Sequence, residues 1–143
     1  VVRTDVVRKR LAGQHPNEKL GAHGYTEEMT EQTYAAFYEQ ARLALARGQS
    51  VVLDAVFANE GQRRQAKAVA DACRVPFTGI WVDAPDEIRL ERVATRTRNV
   101  SDVTVDIAAK QSTYELGEID WSRVDSGGKK RETVRQARAL LGV

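Results

Sequence analysis

Short runs rich in β-branched residues alternate along this chain with stretches of helical periodicity, and that alternation limits the folds open to it. "VVRT" (residues 1–4) leads into "VVRKRLAG"; "SVVLDAVF" (50–57) follows an apolar stripe at Tyr34, Phe37, Ala41 and Leu45; "FTGIWVD" (77–83) follows another at Ala66, Val69, Ala70 and Cys73. Strands separated by helices of this length pair in parallel, and a parallel sheet is stable when helices cover both of its faces. The expected class is α/β, a three-layer αβα arrangement on a mainly parallel sheet.

Local signals mark the element ends. "QHPNEKLGAHGY" (14–25) carries the Gly, Pro and Asn of a loop after Gly13 closes the first helix. Thr26 is placed to cap the next helix, with Glu27 and Glu28 at its positive end and Gly48 beyond its last turn. Asn59 followed by Gln62 has the spacing of a capping box. Pro85 suits the first turn of a helix through Ile88, Leu90, Val93 and Ala94, and Ser101 can cap another through Ile107 and Tyr114. "IDWSRVD" reads as a last strand, and "KKRETVRQARALLG" puts Val134, Ala137, Leu140 and Leu141 on one helix face.

The chain has 143 residues and no composition break, so a single domain over residues 1–143 is expected. Its first residue is Val1, and it reads as a segment of a longer protein. No window approaches about 18 consecutive apolar residues and no basic region precedes an apolar stretch, so neither membrane span nor signal peptide is expected and the cytosol is the default compartment. The lone Cys73 lies on a predicted apolar stripe and reads as core filler. Lys and Arg total 22 against 20 for Asp and Glu, a balance that argues against a nucleic-acid surface. His15 and His23, eight residues apart in a loop, lack metal-ligand spacing. Trp81 and Trp121 fall in predicted strands and read as core.

Asp54 is the anomaly. It sits within an apolar strand, where an ionised carboxylate costs several kcal/mol unless it is paired. In an open parallel sheet, however, ligands bind beyond the carboxyl ends of the strands. Asp54 lies near the end of "VVLD", as Asp5 does after "VVRT" and Asp83 after "GIWV". Asp83 precedes "APDE" and reads as a turn or cap residue, whereas Asp5 and Asp54 have apolar neighbours on both sides and read as functional. "RLERVATRTR" (89–98) adds Arg89, Arg92, Arg96 and Arg98, of which Arg92 and Arg96 share a helix face. Such a face suits a polyanion; it can equally be a solvated face paired with Glu87 and Glu91. Acidic strand ends with an arginine-rich helix describe phosphoryl transfer, although no GxxxxGK[ST] occurs in the chain.

The ordered set "VVRTDVVRKRLAG", "YTEEMTEQTYAAFYEQARLALARGQSVVLDAVF", "RRQAKAVADACRVPFTGIWVDAP", "ERVATRTRNVSDVTVDIAAKQ" and "VDSGG" resembles the P-loop kinases of the zeta-toxin, gluconate-kinase and polynucleotide-kinase-like group. It especially resembles the ATP-binding domain often fused behind an aminoglycoside-phosphotransferase-like domain in bacterial proteins. The resemblance covers nearly the whole chain and implies ATP and Mg2+ as cofactors. It implies that Asp5 accepts the proton of the substrate hydroxyl, that Arg3 and Arg8 flank substrate, and that Asp54 reaches magnesium at the Walker B-like position. Arg92, Arg96 and Arg98 resemble lid arginines over the nucleotide phosphates. Arg63 or Arg64 would contact substrate or lie at the surface, and Gln111 reads as a helix-surface amide.

The resemblance also implies a departure. In such kinases the first strand and the GxxxxGK[ST] loop precede the segment equivalent to "VVRTD". Without them the sheet lacks its middle, the strand of Asp54 is expected to pair with "GIWVD" or with a partner chain, and ATP affinity is expected to be poor. An open sheet edge would favour a homo-oligomer. The resulting expectation is a kinase, in its complete form, moving the γ-phosphate of ATP to a hydroxyl of a small molecule or nucleotide, with this segment alone inactive. The alternative is a non-catalytic nucleotide-sensing or interaction domain of a larger protein.

Overall fold

The computed structural model describes residues 1–95 and 114–143; Arg96, Arg98, Ser101, Ile107 and Gln111 lie outside the described residues. The fold is α/β, with helices and small parallel sheets. The described residues fall into two compact units, residues 1–75 and residues 76–95 with 114–143.

The first unit runs β1 (Val2–Arg3), α1 (Thr4–Leu11), a 3-10 turn (Ala22–Tyr25), α2 (Glu27–Ala46), β2 (Leu53–Asp54) and α3 (Glu60–Ala72). β1 and β2 pair in parallel, Val2 opposite Leu53 and Arg3 opposite Asp54. Sequence patterning set its helices as expected. Thr26 Oγ1 accepts from Met29 N at 3.1 Å to start α2, and Gly48 follows that helix with a φ of +75°, which only glycine adopts without cost. Asn59 and Gln62 form the capping box of α3: Asn59 Oδ1 accepts from Gly61 N at 2.7 Å and Gln62 Oε1 from Asn59 N at 3.3 Å. α2 packs between α1 and α3. Its Phe37 is fully buried, with Tyr34, Tyr38 and Phe57 as aromatic neighbours, and Val7, Ala41, Ala66 and Ala70 are buried in the same unit.

The second unit runs β3 (Ile80–Asp83), α4 (Asp86–Ala94), β4 (Ser122–Asp125) and α5 (Lys130–Leu141). β3 and β4 are parallel, from Ile80 opposite Ser122 to Asp83 opposite Asp125. Val124 is fully buried here, and Trp121 lies so close on Gly79 that a Cβ there would stand 2.4 Å from its Cγ. Phe77 meets Trp121 edge to face at 5.8 Å. α5 packs on β4, and Val134, Leu140 and Leu141 of its expected apolar face stay exposed.

Two expectations are corrected. The strand of Asp54 pairs with Val2–Arg3, and "GIWVD" pairs with Ser122–Asp125. Each strand takes the neighbour joined to it by a helical crossover, which satisfies its backbone within one unit. Asp5 is not at a strand end: β1 stops at Arg3, and Asp5 lies in the first turn of α1, where the positive end of the helix favours a carboxylate.

Phe37 and Asn59 should separate core from cap energetics in urea unfolding. Phe37→Ala is expected to cost about 3–5 kcal/mol through the cavity it leaves, and Asn59→Ala about 1 kcal/mol through loss of the cap.

Candidate functional site

β1 and β2 end together, and the chemistry collects at that end. Register places Arg3 beside Asp54, and Arg3 Nε meets Asp54 Oδ2 at 3.1 Å. The Asp54 side chain is 57% exposed, which overturns the reading of Asp54 as a residue inside a buried strand. β2 holds only two residues, so the carboxylate emerges at its end and escapes the desolvation cost that a longer strand would impose. The ion pair is solvent-screened and worth about 0–1 kcal/mol, so it yields readily to a competing cation. Asp5 follows Arg3 by two residues, in the first turn of the helix that leaves the carboxyl end of β1.

Two other arginines of this unit, Arg8 and Arg63, are tied to the chain's own carbonyls. Arg8 is buried; its Nη1 donates to Gly24 O at 2.9 Å and Thr30 Oγ1 at 3.1 Å, and its guanidinium lies 5.0 Å over the Tyr25 ring. Arg63, only 2% exposed, donates Nη1 to Phe57 O at 2.7 Å and to Ala58 O at 3.2 Å. Arg64, by contrast, is a surface residue paired with Glu60 at 3.1 Å.

Tyr34, read from sequence as a core residue only, packs on Phe57, three residues beyond Asp54. Burial pushes its phenol up to about 12; the Phe57 backbone N–H and the Arg8 charge oppose the shift, and the Asp5 charge adds to it. Phe57, which follows Asp54 by three residues, has a φ of +49°. Neither feature has a sequence signal beyond the apolar stripe of α2 and the closeness of Phe57 to Asp54.

In the second unit Arg92 holds the loop after β4: Nη1 donates to Ser126 O at 2.6 Å and Nη2 to Gly128 O at 3.0 Å. Arg89 pairs with Asp86 at 2.8 Å. Asp83 behaves as the turn residue expected, its Oδ1 accepting from Ala84 N at 3.0 Å, while Oδ2 meets Arg123 at 3.1 Å.

A hard divalent cation takes carboxylate and phosphate oxygens together with water, and an exposed Asp54 fits that donor set as one ligand among several. Among the described residues no group of three or more His, Cys, Asp or Glu is arranged to hold a metal by itself, and none of their helices is long and apolar enough to cross a membrane.

The profile of a protein family described as an AAA domain matches residues 1–115. Uncharacterized proteins of two Mycobacterium tuberculosis strains and of Mycobacterium bovis are 28% identical to the chain over 144 residues, covering 96% of this chain and 28% of theirs. The chain thus spans little more than a quarter of the length of those curated relatives. No solved structure matches it.

Burial of the phenols has a consequence at high pH. Burial holds Tyr34 protonated up to about 12 and raises Tyr38 further, whereas the unfolded phenols ionise near 10. The stability this contributes is fully present below about pH 10 and is lost as pH rises toward 12, amounting to ~3 kcal/mol for Tyr34. Urea unfolding between about pH 9 and pH 11.5 should show that decline, and Tyr34→Phe should flatten it.

Proposed function

We propose, from the premise that this chain belongs to the AAA domain family, that it is part of a kinase moving the γ-phosphate of ATP to a hydroxyl of a small molecule or nucleotide. The family is P-loop NTPase-like and includes kinases, and its members generally bind nucleotide with Mg2+. The observation that carries the finer reading is exposed Asp54 beside Arg3 at the carboxyl end of β1 and β2, with Asp5 in the first turn of the helix that follows β1.

In this reading each residue has a separate task. Asp5 accepts the proton of the attacking hydroxyl, a role worth about 10²–10⁴-fold in rate. Asp54 is the residue that would hold Mg2+, which when bound neutralises charge on the phosphate oxygens. Arg3, exposed and able to leave its screened pair, is free to turn toward an anionic substrate group. The lid role of Arg92, Arg96 and Arg98 rests on the resemblance to P-loop kinases. The 143 residues contain no GxxxxGK[ST], so the amides and lysine that cradle the phosphates in that motif are not among them. We therefore expect this segment alone to bind ATP poorly and to be inactive.

A second reading, a non-catalytic nucleotide-sensing or interaction domain, is favoured by one observation: Arg8, Arg63 and Arg92 all donate to the chain's own backbone carbonyls. Titrating Mg-ATP calorimetrically into the 143-residue chain and into the full-length protein tests both readings. Binding by the full-length protein, with turnover that falls about 10²-fold or more in Asp5→Asn, supports the kinase. Binding without ADP formation across a panel of sugar and nucleoside hydroxyl acceptors supports the sensor, and absence of binding by either sample overturns both. Asp54→Asn should abolish the Mg2+ dependence of any turnover.

A further inference from the structure

The turn after Asp54 is held in a conformation its sequence does not favour. The φ of +49° at Phe57 lies in the left-handed region, which costs a bulky residue about 1–3 kcal/mol and persists only where the surroundings enforce it. Glycine or asparagine would adopt it at little cost. A buried phenylalanine is the opposite choice.

Three contacts converge on that residue. Arg63 clamps the Phe57 and Ala58 carbonyls from the first turns of α3, at 2.7 and 3.2 Å. The Phe57 ring packs against Tyr34 and Phe37 of α2, with centroids at 6.3 and 6.0 Å. The Phe57 backbone also reaches the Tyr34 phenol, and that same phenol stands within the field of Asp5 and Arg8. Tyr38, one turn further along α2, donates its hydroxyl to Gln62 O at 2.8 Å and so fixes α3 beside Arg63.

A buried guanidinium spent on two carbonyls is a costly way to pack a core, because burying the charge is repaid only by hydrogen bonds of good geometry. Here the cost falls on the segment next to Asp54. α2, whose Tyr34 packs on Phe57, also packs on α1, the helix carrying Asp5. We propose that Tyr34 and Arg63 are positioning residues which, through the Phe57 turn, set the spacing and aim of Asp5 and Asp54. This inference rests on the phosphotransfer reading above. In it Arg63 acts from the core and never meets substrate, and Tyr34 remains a neutral phenol at neutral pH.

The test uses the full-length protein, with Mg-ATP and a panel of sugar and nucleoside hydroxyl acceptors as the probe and ADP formation as the readout. Tyr34→Phe keeps the ring and removes the oxygen that meets the Phe57 backbone; Arg63→Lys keeps the charge and removes the fork. Misplacing reacting groups by about 1 Å can cost up to about 10²-fold, so kcat is expected to fall at least tenfold in each variant. The KM for Mg-ATP should stay within about twofold, since uniform binding is untouched, and the Mg2+ concentration giving half-maximal rate should rise severalfold. Arg63→Lys risks misfolding, and Tyr34→Phe, nearly isosteric, keeps the question answerable. Unchanged kcat and Mg2+ dependence in a folded Tyr34→Phe, beside an active parent, would overturn the inference alone. A fall in rate that follows only the loss of folded protein would overturn it too. A parent without Mg-ATP turnover would instead defeat the phosphotransfer reading, and the inference with it.

Discussion

Parallel pairing is the constraint on which the first unit depends. Two parallel strands cannot be joined by a tight turn, so the chain between β1 and β2 must travel the length of the pair and return. That journey is made by α1 and α2, and it brings Arg3 and Asp54, 51 positions apart, into register at one end. Asp5 arrives there because α1 starts as soon as β1 stops. The site is therefore a consequence of topology: whatever polar residues end these strands will meet.

The arginines show how the same chemistry serves two purposes. A guanidinium offers a planar set of donors that fits phosphate oxygens and backbone carbonyls alike. Arg8 and Arg63 use it inward, on carbonyls of segments without regular strand or helix partners, and Arg92 uses it on the loop after β4. Lys9 joins them, buried with its ammonium on Pro16 O at 3.1 Å. Loops near ligand sites have many unpaired carbonyls, so arginines gather there for structural reasons as readily as for binding. Counting arginines along the chain does not separate the two uses.

What could be read from sequence follows the range of the interaction. Helix starts at Thr26 and Asn59 and the stop before Gly48 depend on residues three or four positions away, and all three were legible. Strand partners were not, because pairing is decided by which crossover satisfies the backbone, a property of the fold and not of "VVLD" or "GIWVD" alone. Asp54 misled for a related reason: apolar neighbours imply burial only if the strand continues, and β2 ends at that residue. The left-handed Phe57 was hidden altogether, since its conformation is imposed by Arg63 and the aromatic residues of α2 against the preference of its own side chain.

Exposure divides the first unit into parts that act and parts that hold. Arg3 and Asp54 are both about half exposed, so their mutual attraction is weak and either can be recruited by a ligand without a large penalty. Their geometry cannot come from that pair, which is too weak to fix anything. In the proposal above it comes from groups whose displacement is expensive, namely the buried Arg63 clamp, the Phe37 cluster and the Tyr34 side chain. For the phosphotransfer proposed above, a weakly paired Asp54 beside a strongly held turn is an arrangement that lets cation and phosphate exchange while the shape is kept.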